Sequence, residues 1–574
     1  MQKLWHSHTL LILGESIEER NIELIENANS TDYSEPAKKA VRKKSIKYAI
    51  DLLTTKRESI AVVPAYYLKK CTNYLNDKEM DNSQVRNLLS SLSFSKACKN
   101  WEQLWSCHIS KKQAKDITVA YLAGPNPLND FEIFIKNGVL PENIWAFEAD
   151  NNTFQEALGN IKNSEFHKIK INKIKIQNFF KMVPKTFDLI YIDACGPLPS
   201  KDQNTLKILS SIFYYHRLAS PGILITNFAN PLGNTSYSSQ SVQPVQNSLI
   251  MSYTSLISAY LYPKSFLENL NDENYNLDEG AVAYGFSCSS ELDDNETDFR
   301  YEVSKKFEDY YGQYITRQLF DLSSILIPFT RLCDSYEENN HHTLWSLLVK
   351  DSPNTLIEYA KKMKTLTESY DGGDFIIDPD MYSLGAFIMN IENYSDIVEG
   401  AKKIYSVWKR QISLNPKISV DDSILIHEAL KSPQWLIPEV LEALKNCNFS
   451  SAPYLCDIPT FMFLLYPILA QYIHPMHPNI KKVKRFTYKA KDTQMFTDII
   501  PFDECRYVYD YLPSSVLLNN IINEKTDFFV YLLALDGIQK QLIRYMNILY
   551  GCTTIGVNNK GFHEAILQKR IKIN

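Results

Sequence analysis

No two of the ten cysteines stand at CxxC spacing, so neither a structural zinc site nor a disulfide framework is written into this chain. Scattered thiols of this kind suit a reducing compartment, and a cytoplasmic location is expected. Glycine is scarce, 18 in 574 residues, and GxGxxG is absent. The dinucleotide fingerprint is therefore missing. Long apolar runs are missing too. The apolar, uncharged stretch Ile458 to Ile473 carries Pro459, Pro467 and Gln471. It is shorter than the roughly 20 residues a bilayer span needs, reads as buried helix, and gives no reason to expect a membrane partner. The opening MQKLWHSHTLLILGESIEER has no small-residue cleavage site, so no signal peptide is read there. Nor is there an excess of positive charge. A net charge of −5 leaves any nucleic-acid binding to local patches.

What is there is a globular composition, 45% hydrophobic and 22% charged, in a chain long enough for several cores. Its texture changes twice. Residues 1–115 read as a helical cap, with helices from Pro36, over Tyr67–Leu75 and over Val85–Trp105. In the first of these Val41, Ile46, Ile50 and Leu53 make an apolar stripe, with lysines and arginines assigned to the opposite face. From about 116 to 290 short apolar runs alternate with helical stretches. Strands are expected at Ile117–Ala123, Asn143–Glu148, Ile171–Ile176, Phe187–Asp193 and Gly222–Asn227, and helices at Pro127–Asn137, Thr153–Asn160 and Thr205–His216. Such alternation implies βαβ units in an α/β fold, a doubly wound, mostly parallel sheet. A polar stretch, Asn230–Ser248, is a candidate lid. Residues 300–574 read as a large, mainly helical C-terminal region that could receive a protein partner.

The stretch VAYLAGPNPLNDFEIFIKNG (119–138) is strand, turn and helix. Asn126 suits an N-cap, Pro127 a first helical position and Gly138 the helix end. Amides opening that helix would face the carboxyl edge of the sheet, where open parallel sheets bind ligands. Glu148 ends the second strand, 24 residues after Gly124. A carboxylate there accepts hydrogen bonds from ribose hydroxyls. Asn178 follows the third strand and Asp193 ends the fourth.

FDLIYIDA, followed about 25 residues later by LASPGILITN, resembles the pattern of class I S-adenosylmethionine-dependent methyltransferases. The resemblance covers roughly 116–290. It implies a seven-stranded sheet with helices on both faces, an S-adenosylmethionine cofactor and methyl transfer. It assigns Gly124 as the turn glycine, Glu148 as the ribose acid, Asn178 as an adenine-side contact and Asp193 as the acid beside the methyl group, the candidate catalytic residue. The chain departs from the pattern in the first loop. Leu122 stands where the family has an acid, and Asn126 and Leu128 stand where it has further glycines. Asn126, Asn129 or Asp130 would then supply the polar contact to the amino-acid end of the cofactor.

Other features carry two readings each. Cys195 lacks the preceding proline of cytosine-attacking enzymes and reads as a small buried residue. His341, His342, His474 and His477 lack companions at metal-ligand spacing. KKAVRKKSIK (38–47) is either a phosphate-binding patch or a solvated helix face. KKVKRFTYKAKD (481–492) interleaves Phe486 and Tyr488 with cations, which suits single-stranded nucleic acid or a lysine-guarded edge strand. KIKINKIKI (168–176) is taken as an exposed face of strand three or its approach. Two functions compete with methyl transfer. One is a degenerate methyltransferase-fold scaffold or binding subunit of a multi-protein assembly, such as a bacterial defence system, that binds nucleic acid through 481–491. The other is a nicotinamide-dependent oxidoreductase.

Overall fold

The computed structural model describes residues 35–77, 89–166, 169–232, 244–261, most of 301–334, parts of 345–358, Ala470, 474–513, 525–546 and 569–573, with isolated positions besides. Among the described residues nine strands form one sheet. β1 (Val119–Leu122), β2 (Ile144–Phe147), β3 (Lys170–Asn172), β4 (Phe187–Asp193) and β5 (Leu218–Ala229) are parallel and run in the order β3-β2-β1-β4-β5. This is the doubly wound order, with the crevice between β1 and β4 where the winding reverses. Strand three is shorter than KIKINKIKI suggests. It ends at Asn172, and Ile176 already opens a helix.

The sheet is not confined to 116–290. β8 (Thr493–Asp503) lies antiparallel along β5, from Gly222 opposite Phe502 to Ala229 opposite Met495. β7 (Lys484–Ala490) lies beyond it, with β9 (Ile571–Ile573) outermost, and β6 (His477–Pro478) pairs with the end of β8. The segment expected as a solvated edge strand is thus mostly an inner one. Phe486 and Tyr488 face the core and Arg485 is buried, so stacking on bases is closed to those two rings.

Side chains alternate between the faces with the period of two that a strand imposes. Val119, Tyr121 and Ala123, with Leu189 and Tyr191, meet α1 (Pro36–Leu53), α4 (Leu128–Lys136) and α5 (Asn151–Lys162). Ala120, Ile190 and Ile192 meet the other layer. That layer holds α3 (Leu92–His108), α6 (Ile176–Met182), α7 (Thr205–Tyr214), α8 (Pro244–Leu261), α9 (Phe307–Asp321) and α12 (Lys525–Met546). α2 (Tyr67–Asp77), α10 (Ile327–Asp334) and α11 (Arg506–Tyr509) add core residues to the same layer. The N-terminal helices are therefore split between the two layers, α1 on one face and α3 on the other.

Local chemistry places the boundaries. Ser91 caps α3 by accepting from the Phe94 amide, and Asp150 caps α5 by accepting from the Thr153 amide, so α5 starts earlier than its apolar pattern. α4 ends in a Schellman turn. The Gly138 amide bonds the Ile135 carbonyl and the Val139 amide the Phe134 carbonyl, with Gly138 at φ +88°. On β5, Gly222 lies at a register shift against β4. A Cβ there would stand 2.3 Å from the Ala219 carbonyl oxygen, which only glycine avoids.

Candidate active site

The parallel register brings the ends of four strands to one edge. Leu122 pairs with Phe147, and Asp193 with Asn227. Gly124 leaves β1 in the left-handed region, at φ +59°, with no atom within 4 Å of the place a Cβ would occupy. This is an open cradle of backbone. Its walls are tied down: the Ala123 amide bonds the Phe147 carbonyl, Asn160 Nδ2 donates to the Pro125 carbonyl, and the Tyr121 hydroxyl donates to the Pro127 carbonyl. Glu148 comes to the same place. It is half-buried, its Oε1 accepts from the Asp150 amide at 2.8 Å, and the Gly124 amide acts on the same carboxylate. Burial lifts its pKa above the ordinary value, with those amides opposing. The turn glycine and the ribose acid named by the sequence do converge.

Asn126 differs from expectation. The helix begins at Leu128 with Pro127 as its N-cap, and the Asn126 side chain caps nothing. Its Oδ1 is buried with no hydrogen-bond partner among the described residues. Asn178 lies in the first turn of α6, exposed, on the carboxyl side of β3. The candidate lid falls largely on 233–243, outside the described residues, and from Pro244 the chain is already helical.

Asp193 stands in a charged cluster that the sequence did not announce. Lys38 Nζ lies 3.1 Å from its Oδ2 and the Arg42 guanidinium 3.7 Å away, while Arg42 Nε lies 2.6 Å from Asp130 Oδ1. Both cations come from α1, from the face assigned to solvent. Residues 38, 41, 42, 45, 46, 49, 50 and 53 make one buried stripe, and Lys38 and Arg42 are its first turn. Spacing of i, i+3 and i+4 with Val41 was the signal that would have found them. Asn227 Nδ2 donates to Asp193 Oδ1 at 2.8 Å and to the Tyr488 hydroxyl at 3.0 Å, and Thr497 Oγ1 donates to Asn227 Oδ1. β7 and β8, far along the chain, thus supply the outer support of a site built on β4 and β5.

Electrostatics follow from this geometry. Burial pushes the Asp193 carboxyl toward its neutral form, but Lys38, Arg42 and the Asn227 amide outweigh it and hold the pKa below the usual carboxylate range. Burial likewise disfavours the Lys38 ammonium, and Asp193 overcomes it, raising the pKa. Asp130 is lifted to about 6 because burial is offset only in part by Arg42. Two cations and two carboxylates leave no net charge, and Asp130 is committed to Arg42 rather than to a ligand.

Cys195 corrects the expectation of a buried thiol. It is exposed, in the left-handed region at φ 51°, its sulfur 4.0 Å from the Asp193 carbonyl oxygen. Loss of solvent around its sulfur, with the charge of Asp193, pushes its pKa up to about 11, so it is a poor thiolate. His477 is fully buried, its Nε2 sharing a 2.7 Å hydrogen bond with the Tyr509 hydroxyl. His474 packs against His216 with its Nδ1 beside Arg506. His341 and His342 lie outside the described residues, as do the helices expected between 359 and 469. Among the described residues no helix is long and apolar enough to cross a membrane.

No family model matches the chain, and no curated protein sequence matches it. Several solved structures are similar. A fibrillarin/Nop5p complex aligns at 18% identity with a TM-score of 0.16, over 24% of this chain and 60% of that one. TrmN from Thermus thermophilus aligns at 12% identity with a TM-score of 0.17, over 24% of this chain and 42% of that one. A SAM-dependent methyltransferase from Archaeoglobus fulgidus aligns at 14% identity with a TM-score of 0.16, over 24% and 61%. The chain thus spans about three fifths or less of these proteins. At such scores they are likenesses only, and the doubly wound α/β fold rests on the strand order itself.

Proposed function

We propose that this chain is a class I S-adenosylmethionine-dependent methyltransferase whose nucleoside site lies between Gly124 and Glu148. One observation carries the reading: an open, left-handed glycine and a half-buried carboxylate meet at the carboxyl edge of a doubly wound sheet, beside the point where its order reverses. The residues present fit the cofactor. A carboxylate has about four acceptor sites, so Glu148 can hold its own loop and still receive two ribose hydroxyls. Gly124 lets backbone approach closely. Asn178 is exposed on the same side for the base, and the buried Asn126 Oδ1 is an acceptor awaiting a donor. Bound S-adenosylmethionine would supply a methyl group already activated on sulfur.

What remains for the protein is alignment and exclusion of water. Asp193 is placed to orient an acceptor group. Held ionised below the usual carboxylate range, it is a weak general base, so its role is positioning more than proton removal. The sheet is larger than the seven strands implied by the methyltransferase resemblance, because β9 and β6 extend it to nine among the described residues. The all-parallel order 3-2-1-4-5-6 of dinucleotide folds is broken at its sixth place by the antiparallel β8, which speaks against the nicotinamide reading.

The scaffold reading also has an observation on its side. The closed cluster of Lys38, Arg42, Asp130 and Asp193 satisfies its own charges without any ligand. Calorimetric titration with S-adenosylmethionine, S-adenosylhomocysteine and NAD separates the three. Binding of the first two, lost in Glu148→Ala, is the expected result. Binding of NAD alone, or of none, would end the methyltransferase reading.

A further inference from the structure

A third basic segment lies apart from 38–47 and 481–492. Residues 162–185 carry seven lysines and a single glutamate, in a molecule whose net charge is −5. The described ones surround β3, the outer strand on that side of the sheet among the described residues. Lys162, Lys170, Lys173, Lys175 and Lys181 are exposed and Lys185 is half-exposed. None of the six forms an ion pair with a described acid. Their polar contacts are neutral: Lys170 Nζ donates to the Glu142 carbonyl and Lys173 Nζ to Asn151 Oδ1.

Guarding a sheet edge explains only part of this. Lysine on an edge strand deters pairing with other chains, but of these six only Lys170 lies on β3. Lys162 and Lys181 lie in the last turns of α5 and α6, where a cation complements the helix dipole. Lys173, Lys175 and Lys185 have no such account. Lys170 and Lys185 moreover converge on one indole, 4.9 Å and 5.3 Å from the Trp145 ring centroid. Two ammonium groups drawn to one ring repel each other, and an anion bridging them would relieve that. At the other end Lys173 sits over Phe154 beside Asn151, at the start of α5 just past Glu148.

We propose that the lysines along β3 form a phosphate-binding track for a nucleic acid strand, leading to the cleft at Glu148. Lys170 to Lys173 spans about 10 Å at roughly 3.3 Å per residue, or about three phosphates at ~3.4 Å of duplex axis each. Lys170 and Lys185 stand on the α6 side of β3 and Lys173 on the α5 side, so the charge wraps the edge of the sheet, and a polyanion strand follows such an edge better than the plane of an anionic membrane does. Binding by this track does not rest on methyl transfer, because a scaffold without chemistry would use it in the same way. If the cleft is loaded, the track makes nucleic acid the substrate class.

Fluorescence anisotropy of a labelled 20-nucleotide RNA and of a 20-base-pair DNA duplex, across a salt series, tests the track on the full chain. Binding is expected to weaken at least tenfold in K170Q/K173Q/K185Q. The log–log salt slope should fall by about 2 for single-stranded RNA and about 2.7 for duplex. A matched triple on the exposed side of α1, K39Q/K43Q/K47Q, should leave both unchanged. Equal losses in the two triples, no binding of either nucleic acid, or preferential binding to phosphatidylserine vesicles would each overturn the track. Retained S-adenosylhomocysteine binding by the β3 triple shows that it folds, and keeps failure of the track distinct from failure of the cofactor reading.

Discussion

Glu148 is the residue on which the cofactor site turns. Hydrogen bonds from ribose hydroxyls to an ionised acceptor contribute about 1.5–3 kcal/mol each. Glu148→Gln, which keeps the shape and removes the charge, is expected to weaken S-adenosylhomocysteine binding about tenfold to a hundredfold in calorimetry. Unchanged affinity would remove Glu148 from the site. Asp193 poses the opposite test, of stability. Removing one partner of a buried ion pair costs about 3–5 kcal/mol, because the charge left behind stays buried. Asp193→Asn strands Lys38 and part of Arg42 in this way. The double variant K38M/D193N should therefore lose less than the two single changes combined, as read by denaturant unfolding. Simple additivity would mean that the pair is not coupled.

At the scale of elements, β6 carries a pH dependence. His477 is fully buried and burial lowers its pKa from 6.5 to about 3, so it is neutral in the fold. The unfolded chain takes up the proton first. Stability is then constant with respect to this group above pH 6.5 and falls as pH drops from 6.5 toward about 3, by about 1.4 kcal/mol per pH unit. Denaturant unfolding near pH 6.5 and near pH 5 should show a difference about 2 kcal/mol larger in the wild type than in His477→Gln. Equal slopes would show that the imidazole is protonated in the fold or not buried. The elements also show where legibility stops. α4 and β4 were readable because their signals are local: the Schellman glycine, and an apolar run ending in acid. α1 was readable as a helix but not in its facing. Lys38 and Arg42 look solvated until the carboxylates of Asp130 and Asp193, from two other elements, are brought beneath them.

At the scale of the whole molecule, one sheet joins segments far apart in the chain, and Arg570 is a clasp between them. Its guanidinium pairs with the fully buried Asp498 on β8 and donates to the Gly312 carbonyl and the Thr316 hydroxyl of α9. Thr316 also donates to Asp498 at 2.6 Å. Arg570→Ala leaves Asp498 with a hydroxyl in place of a cation, and is expected to cost about 3–5 kcal/mol in denaturant unfolding. A loss under 1 kcal/mol would show that the C-terminal segment is not a working part of the sheet. The same long-range pairing carries the sheet into residues beyond 290. Strand order is a property of pairing partners, and nothing local in 484–503 names β5 as its neighbour.

The amino-acid order alone determined the α/β alternation, the glycine turn, the acid ending β2 and the acid ending β4. Each of these is set by interactions within a few residues: caps, periodicity, and the conformational freedom of one glycine. Only the tertiary structure decided that Asp193 is held by two cations from α1, that Tyr488 and Thr497 stand behind Asn227, that Cys195 is exposed, and that lysines with no ion pair to a described acid gather around β3. Those facts depend on which distant groups share a small, poorly solvated volume or are left outside one, and charge energies there are fixed by distance and burial rather than by position along the chain.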